Sequence, residues 1–306
     1  MASASAPPRL LLVGGGGGFV GQAVLAQFLP YFRIRSVHRH AARNEGPRVE
    51  WVRTDVQGVR DWAPLLEDVN VVLNLAWYRW NSEAHFRSLQ GGLLRLVSAA
   101  AQAHVDRFLQ VSVPPAPEEL ERNLPYLYYK RQVDAAISGS GLSFRIVRPT
   151  MLFGPGDVLL SVMLRLMRRY PVFPMFGDGA YHVSPIAVED LARILLKEAH
   201  GTDRGIMDLG GPERLAYRQL TDRMFDLLHK RPRYWTLSAT EARWLTGTLV
   251  ALGSTLLYPY EVKWLMSDML GPPAYTGLDS PLERIDPYVM DLIAQGRRRN
   301  RDPPTD

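Results

Sequence analysis

"LLVGGGGGFVG", residues 11–21, sets five consecutive glycines between an apolar run and a stretch with helical spacing. Two readings compete for such a run. A flexible linker joins domains and needs no buried flanks. Here the glycines follow an apolar strand candidate, "RLLLV" (9–13), and lead at once into "FVGQAVLAQFLP", where Val20, Val24 and Phe28 share one helical face before Pro30 stops the run. Strand, loop and helix in that order are the context a phosphate-cradling loop demands. Gly15, Gly18 and Gly21 give the spacing G-x-x-G-x-x-G, with the register fixed by Phe19, Val20 and Gly21. A tight turn needs residues that tolerate positive φ, and a phosphate needs bare N–H groups at a helix N-terminus. The sequence therefore predicts a dinucleotide loop, with Gly15, Gly17, Gly18, Phe19, Val20 and Gly21 as its contacts.

Outward from the loop, strand-like segments alternate with helical ones. "FRIRSV" (32–37), "VEWVRTD" (49–55), "VVLNLA" (71–76), "RFLQVS" (107–112) and "SFRIVRP" (143–149) read as strands, while "SLQGGLLRLVSAAAQAH" and "YKRQVDAAISGSG" read as helices between them. Such alternation argues for an α/β fold, a doubly wound parallel sheet of the Rossmann type with a smaller, mainly helical C-terminal lobe. The dinucleotide domain is expected over 8–154, with 181–202 returning to it; 155–180 and 203–296 form the lobe, and 297–306 a disordered basic tail. "VLLSVMLRLMRRYPVFPMFGDGAYHVSP" is read as an amphipathic helix followed by turns, and "VEDLARILLKEAH" as a helix with Glu189 and Asp190 at its favourable end.

Composition narrows the chemistry. The 306 residues are 46% apolar and 22% charged, ordinary for a folded protein, and include no cysteine. That excludes disulfides, zinc-thiolate sites and a cysteine nucleophile, and it fits a reducing compartment. The net charge of +5 is modest, and Arg297, Arg298, Arg299 and Arg301 are read as a solvated tail. No apolar stretch reaches membrane-spanning length, and "MASASAPPR" does not look like a secretory signal, so a cytoplasmic protein, at most peripheral to a membrane, is expected. No histidine–carboxylate cluster has metal spacing, no aromatic–basic alternation suggests nucleic acid, and "ISGSGLS" misses the spacing of a nucleophile elbow.

The end of the second strand selects the nucleotide. An acid there would accept hydrogen bonds from the ribose 2′-hydroxyl of NAD. "RSVHRHAAR" offers His38, Arg39, His40 and Arg43 instead. An arginine pairs with a 2′-phosphate through parallel N–H groups, so Arg39 is the expected contact and NADP(H) is favoured over NAD(H).

These residues resemble the short-chain dehydrogenase/reductase superfamily, in its extended and atypical branches, over nearly the whole chain. "RTDV" is similar to the family's adenine-side segment, which implies that Asp55 bonds the adenine amine with Val56 beside it. "LNLA" would lay Asn74, Leu75 and Ala76 along the cofactor, and "IVRPTMLFGPGD" would bring Pro149 and Met151 past the nicotinamide. The family's active pair is a tyrosine and a lysine four residues on, and "YLYYK" supplies Tyr126 and Lys130 at that spacing. On a helix the two share a face. A phenol with pKa near 10 is a poor base at neutral pH, and a neighbouring ammonium favours its phenolate. The resemblance further implies a hydroxyl after the fifth strand. In "LQVSVPPAP" Ser112 stands at the strand end as the third catalytic candidate beside Tyr126 and Lys130, while the aligned position is Pro114, which has no hydroxyl.

"RYWTLSATEARWLTGTLVAL", "YEVKWLMSDML" and "TGLDSPLERIDPYV" resemble the atypical branch that includes the NADPH-binding accessory subunit of respiratory complex I and its bacterial relatives. Trp244, Leu245, Leu249, Leu252 and Leu256 share an apolar face, read first as the core of the lobe and second as a seat for a protein partner or membrane surface. Two functions stay open. One is an NADP(H)-dependent oxidoreductase or epimerase-like enzyme on a small molecule, with Tyr126 as proton donor and its substrate near Met151, Phe153 and 171–181. The other is a non-catalytic NADP(H)-binding subunit docked on a partner.

Overall fold

The computed structural model describes residues 6–39, 48–79, 82–252 and 258–301. Along the chain lie β1 (Arg9–Val13), α1 (Phe19–Phe28), β2 (Arg33–His38), β3 (Val49–Arg53), α2 (Ala63–Leu66), β4 (Val71–Asn74), α3 (Glu83–Gln102), β5 (Arg107–Val111), α4 (Glu118–Asn123), α5 (Pro125–Gly139) and β6 (Phe144–Pro149). Then follow β7 (Leu152–Phe153), α6 (Leu159–Arg169), β8 (Phe173–Phe176), β9 (His182–Val183), β10 (Ile186–Ala187), α7 (Val188–His200), β11 (Gly205–Leu209), β12 (Leu215–Ala216), α8 (Tyr217–Leu227), β13 (Tyr234–Leu237), α9 (Ala239–Ala251), α10 (Pro259–Leu265) and α11 (Ile285–Arg301).

Two compact units result. The first takes the chain to Val113, then Glu118–Pro149 and Val188–Asp208; the second takes Pro114–Pro117, Thr150–Ala187 and the chain from Leu209. The segment returning to the first unit is thus 188–208, shifted from the expected 181–202.

In the first unit a seven-stranded sheet runs β11-β6-β5-β4-β1-β2-β3, and every neighbouring pair from β3 to β6 is parallel. Leu10, Leu11, Leu12 and Val13 have no exposed surface, so β1 is covered on both faces, which is why its sequence is continuously apolar rather than alternating. Leu11, Val13, Val37 and Val72 face a core built with Leu93, Leu96, Val133 and Ile137 of α3 and α5. Helix α1 packs with α7. Strand order reverses between β1 and β4, and the crevice beyond their carboxyl ends is where open α/β sheets take ligands. The glycine loop follows one of these strands and "LAWY" follows the other.

Helix α7 is tied to the sheet by charge. Arg107 on β5, 2% exposed, donates through Nε to the Glu198 carbonyl, and the Arg145 Nε on β6 lies 2.7 Å from Glu198 Oε2.

The second unit holds three two-stranded ladders: β7–β10 and β8–β13, both parallel, and β9–β12, antiparallel. Around Phe153, Met163, Phe173, Tyr217, Phe225 and Val289 it builds its own core. "PVFPMF", read as turns, is a strand because its apolar residues pair with β13 far along the chain, a long-range partner that no local spacing reveals. Helix α11 continues through Arg301, where a disordered tail was expected from 297. Residues 302–306 lie outside the described residues.

Candidate dinucleotide site

Beyond Val13 the chain turns sharply. Gly14 and Gly15 take φ of +72° and +70°, and the Gly18 N–H donates to the Gly15 carbonyl at 2.7 Å. Helix α1 opens at Phe19 with Gly18 as its cap, no side-chain cap and no acid in its first turn. Its leading N–H groups therefore keep their positive potential for an anion. Packing sets the third glycine: a Cβ on Gly21 would lie 1.8 Å from the Gly15 carbonyl oxygen. Helix and loop touch backbone to backbone.

A cavity of about 500 Å³ opens over this loop. Gly14 through Gly18 line it, with Val37, His38 and Arg39 from the end of β2, Trp51, Thr54, Asp55 and Val56 from β3 and its exit, and Leu75 through Tyr78 from the exit of β4. Leu89 of α3 completes the wall. A small polar chain crosses one side. The Arg39 guanidinium lies 4.9 Å over the Tyr78 ring and donates to its hydroxyl at 3.2 Å; Gln57 Nε2 donates to the same hydroxyl at 2.6 Å and lies 3.3 Å from Asp55 Oδ2. Burial and the nearby Asp55 carboxylate raise the Tyr78 pKa, while Arg39 opposes them. The hydroxyl stays protonated. Glycine backbone, helix terminus, arginine and apolar walls together fit a dinucleotide in polarity and shape.

The tyrosines of "YLYYK" have separate environments on α5. Tyr128 is 46% exposed, and the Tyr129 hydroxyl donates to Glu83 while accepting from Arg87. Tyr126, in the first helical turn, packs its ring on Trp77 and Phe86 at centroid distances of 6.4 and 6.1 Å. Lys130, 1% exposed, donates from Nζ to the Val111 carbonyl at 2.8 Å and sits 4.8 Å over the Trp77 indole. Burial pulls its ammonium down to about 8; Arg131 adds to the fall and Asp134 opposes it. Trp77 is thus the common neighbour of the tyrosine–lysine pair and also a wall of the cavity.

Several expected contacts lie elsewhere. Ser112 is 4% exposed and donates its hydroxyl to Asp134 Oδ2 at 2.6 Å, held by a buried carboxylate that needs a donor. Asn74 spends its amide inside the sheet, donating to Gln110 Oε1 at 2.7 Å and accepting from the Ala76 N–H. Phe19, Val20 and Gly21 shape the helix start without lining the cavity, and Lys130 and Pro149 do not line it either. Met151 packs on the second unit's core and Phe153 is buried in it, so neither offers an open substrate wall within that unit. Gly15, Gly17, Gly18, Arg39, Asp55, Val56, Leu75 and Ala76 do line the cavity. His40, Arg43 and Leu256 lie outside the described residues. Trp51, Trp77 and Tyr78 were missed. The run "WYRW" directly after "LNLA" was the available signal for the last two, since it continues the strand exit at which the loop contacts were sought.

Comparison with known proteins agrees with this geometry. A family model described as NAD(P)H-binding matches residues 15–163. Subunit 9 of the NADH dehydrogenase [ubiquinone] 1 alpha subcomplex, mitochondrial, of Arabidopsis thaliana is 24% identical over 176 residues, 56% of this chain and 43% of that protein. A ceramide reductase of Caulobacter vibrioides is 32% identical over 123 residues, 40% of this chain and 38% of that protein. The chain thus spans about two-fifths of the length of the curated relatives it matches. Among solved structures, the enzyme WbmH of Bordetella bronchiseptica with NAD+ superposes with a TM-score of 0.66 at 16% identity, covering 94% of this chain and 98% of that one. A double mutant of the dTDP-glucose 4,6-dehydratase DesIV of Streptomyces venezuelae, with NAD bound, gives 0.64 at 21% identity, covering 95% and 98%. These likenesses show the fold. With a sheet reversing at β1 and β4 and a glycine loop capping α1, the chain has a Rossmann-type fold whose residues 15–163 are similar to the NAD(P)H-binding family.

Proposed function

We propose that the chain binds NADP(H) in preference to NAD(H) and acts as an oxidoreductase on a carbonyl or hydroxyl group of a small molecule. The observation that carries the catalytic part is Lys130: an ammonium with almost no exposed surface, one carbonyl acceptor and an indole face around it. Burying such a charge is costly, and strongly perturbed groups beside a cleft are where chemistry is found. Bound NADPH would supply a hydride. Tyr126 would exchange the accompanying proton, its phenolate favoured by the Lys130 charge and by the positive end of α5. Arg39, at the cavity wall with no acid beside it on β2, supports the 2′-phosphate preference. The ceramide reductase relative lends weight to a reductase.

A second reading is favoured by one specific observation. Ser112 is bound to Asp134, and Pro114 has no hydroxyl, so no serine or threonine of "SVPPAP" is left to orient a substrate oxygen. That suits an accessory subunit in which the dinucleotide supports the fold, as the similarity to the NADH dehydrogenase subunit allows.

Calorimetric titration of nucleotide-free protein with NADPH and NADH tests the binding part. Arg39→Ala should weaken NADPH about ten- to a hundredfold, the worth of one charge-assisted contact, and leave NADH nearly unchanged. Equal loss for both nucleotides refutes the 2′-phosphate assignment. Reoxidation of bound NADPH by a panel of aldehydes and ketones, with Tyr126→Phe as control, then separates the readings: tight binding without turnover on any carbonyl selects the accessory subunit.

A further inference from the structure

Of the apolar face of the C-terminal segment, Leu245 packs on the unit's core, whereas Trp244, Leu249 and Leu252 stay exposed. In α9 only Ala242 and Thr246 are buried, against the cluster of Phe176, Leu237 and Val262. The opposite side carries Trp244, 75% exposed, and Leu252, 80% exposed, with Leu249 beside them at 40%. Trp244, Thr248 and Leu252 are spaced four apart, so they form one stripe along the helix. From Trp244 to Leu252 the sequence, "WLTGTLVAL", has no ionisable side chain. Its hydroxyls make no demand on water either: Thr246 donates to the Ala242 carbonyl and Thr248 to the Trp244 carbonyl. A surface helix normally points charges outward; this one points a tryptophan, a leucine and satisfied threonines.

Cations stand just before it. "HKRPRYW" (229–235) leads into β13 and holds exposed Arg231 and Arg233; Trp235 follows at 54% exposure, and Arg243 precedes Trp244. Among the described residues none of these three arginines has an ion-pair partner. Lys230 differs, since its ammonium is bound to the Met167 and Arg168 carbonyls. Glu241 is the acid of the helix, and it is occupied in the Ser238 capping box.

We infer that α9 is an interfacial helix, which lays Trp244, Leu249 and Leu252 into the headgroup region of an anionic lipid bilayer while Arg231, Arg233 and Arg243 meet the lipid charges. A tryptophan-led apolar stripe with Arg243 adjoining it and Arg231 and Arg233 preceding it in the chain suits that boundary, where apolar burial and electrostatic attraction act together. A protein groove would match the stripe but leaves the three unpaired arginines unexplained. No described helix is long and apolar enough to cross a membrane, so α9 lies on the surface.

The test is cosedimentation of the full chain with vesicles of phosphatidylcholine, alone or with about one-third phosphatidylglycerol. The expected result is binding to the anionic vesicles that weakens as salt rises. Trp244→Ala with Leu252→Ser should lower the partition coefficient about tenfold or more, and Arg231→Ala with Arg233→Ala should abolish the preference for anionic lipid. All four side chains are exposed, so an unchanged melting temperature checks that the variants fold. Wild-type protein that stays in the supernatant with both vesicles overturns the inference, as does a Trp244/Leu252 variant that binds like wild type. A dimer in sedimentation velocity that the same variant dissociates, with no vesicle binding, would instead assign the stripe to a second copy and also overturn it.

Discussion

Substituting Gly21 by alanine tests whether the first helix needs backbone-to-backbone contact with the glycine loop. The new Cβ would lie 1.8 Å from the Gly15 carbonyl oxygen, 2.5 Å from its carbonyl carbon and 2.7 Å from the Gly16 Cα. None of these atoms belongs to a side chain that could rotate away. Restoring ordinary separation of about 3.4 Å moves loop or helix by roughly 1.5 Å. The loop resists, because Gly14 and Gly15 already occupy left-handed turns and Gly14 is held by its N–H bond to the Val37 carbonyl. Alanine in place of glycine gains up to about 1 kcal/mol of helix propensity, whereas overpacking costs about 1–3 kcal/mol and more when only backbone can yield. A net loss of about 1–3 kcal/mol is expected, a fall in melting temperature of roughly 2–10 °C. Displaced N–H groups should also weaken NADPH about tenfold or more, the worth of one charge-assisted hydrogen bond. Gly17→Ala is the matched control: a Cβ there meets nothing within 4 Å, and the melting temperature should hold to within about 1–2 °C. Thermal melts and calorimetric titration of both variants decide the matter. A Gly21→Ala protein with wild-type stability and affinity would refute the reasoning.

Lys130→Met should stabilise the protein at neutral pH. The folded pKa of about 8 lies below the unfolded value of 10.5, so between those values the unfolded chain binds more protons and stability rises with pH; below about 8 the whole penalty is present, in order of magnitude ~3 kcal/mol before loss of the Val111 bond is deducted. Urea melts at several pH values would show the wild-type gain from about pH 8 to 10.5 vanish in the variant, and a gain that persists would contradict it. Trp77→Ala should admit water to Lys130 and move its titration upward, read as a higher apparent pKa in the rate of amine acylation; an unmoved titration would mean that the indole does not shield it. Glu198→Ala leaves the buried Arg107 without its carboxylate partner and the half-buried Arg145 with only the exposed Asp203, and should cost about 2–4 kcal/mol in chemical denaturation, with a loss under 1 kcal/mol counting against the charge-tie account of α7.

What could be read from sequence follows how local each cause is. "RLLLV" became a strand with the expected ends, because a short apolar run closed by glycine admits few alternatives, and "VEDLARILLKEAH" became α7 over its whole length. The helix of "SLQGGLLRLVSAAAQAH" starts earlier, at Glu83, where Ser82 caps it, a signal hidden in a polar stretch. The loop side of the cavity was legible for the same local reason. Its other walls were not: Trp51 reaches it only because β3 lies beside β2, with His38 paired to Arg53 and its ring 4.8 Å from the indole. A polar residue at a strand end looks alike in sequence whether it faces a ligand or a buried neighbour, so the bonds of Ser112 to Asp134 and of Asn74 to Gln110 were not legible. The α9 stripe went the opposite way, since spacing reveals an apolar face but not what covers it.

The route of the chain through its first unit has a consequence for its synthesis. Strand β6 ends at Pro149, yet its outer neighbour β11 and the helix α7 that packs with α1 arrive only with Val188–Asp208, after the excursion through β7 to β10. At roughly 5–20 residues per second those last residues emerge several seconds later. Until then β6 is an open sheet edge, and Arg107 waits for the Glu198 backbone carbonyl and the carboxylate that will neutralise it. Neither unit exists as one uninterrupted piece of chain that a nascent polypeptide could complete and leave behind. Ribosome-bound chains stopped before residue 188 should therefore stay open to proteases and chaperones, and those extended past residue 208 should not.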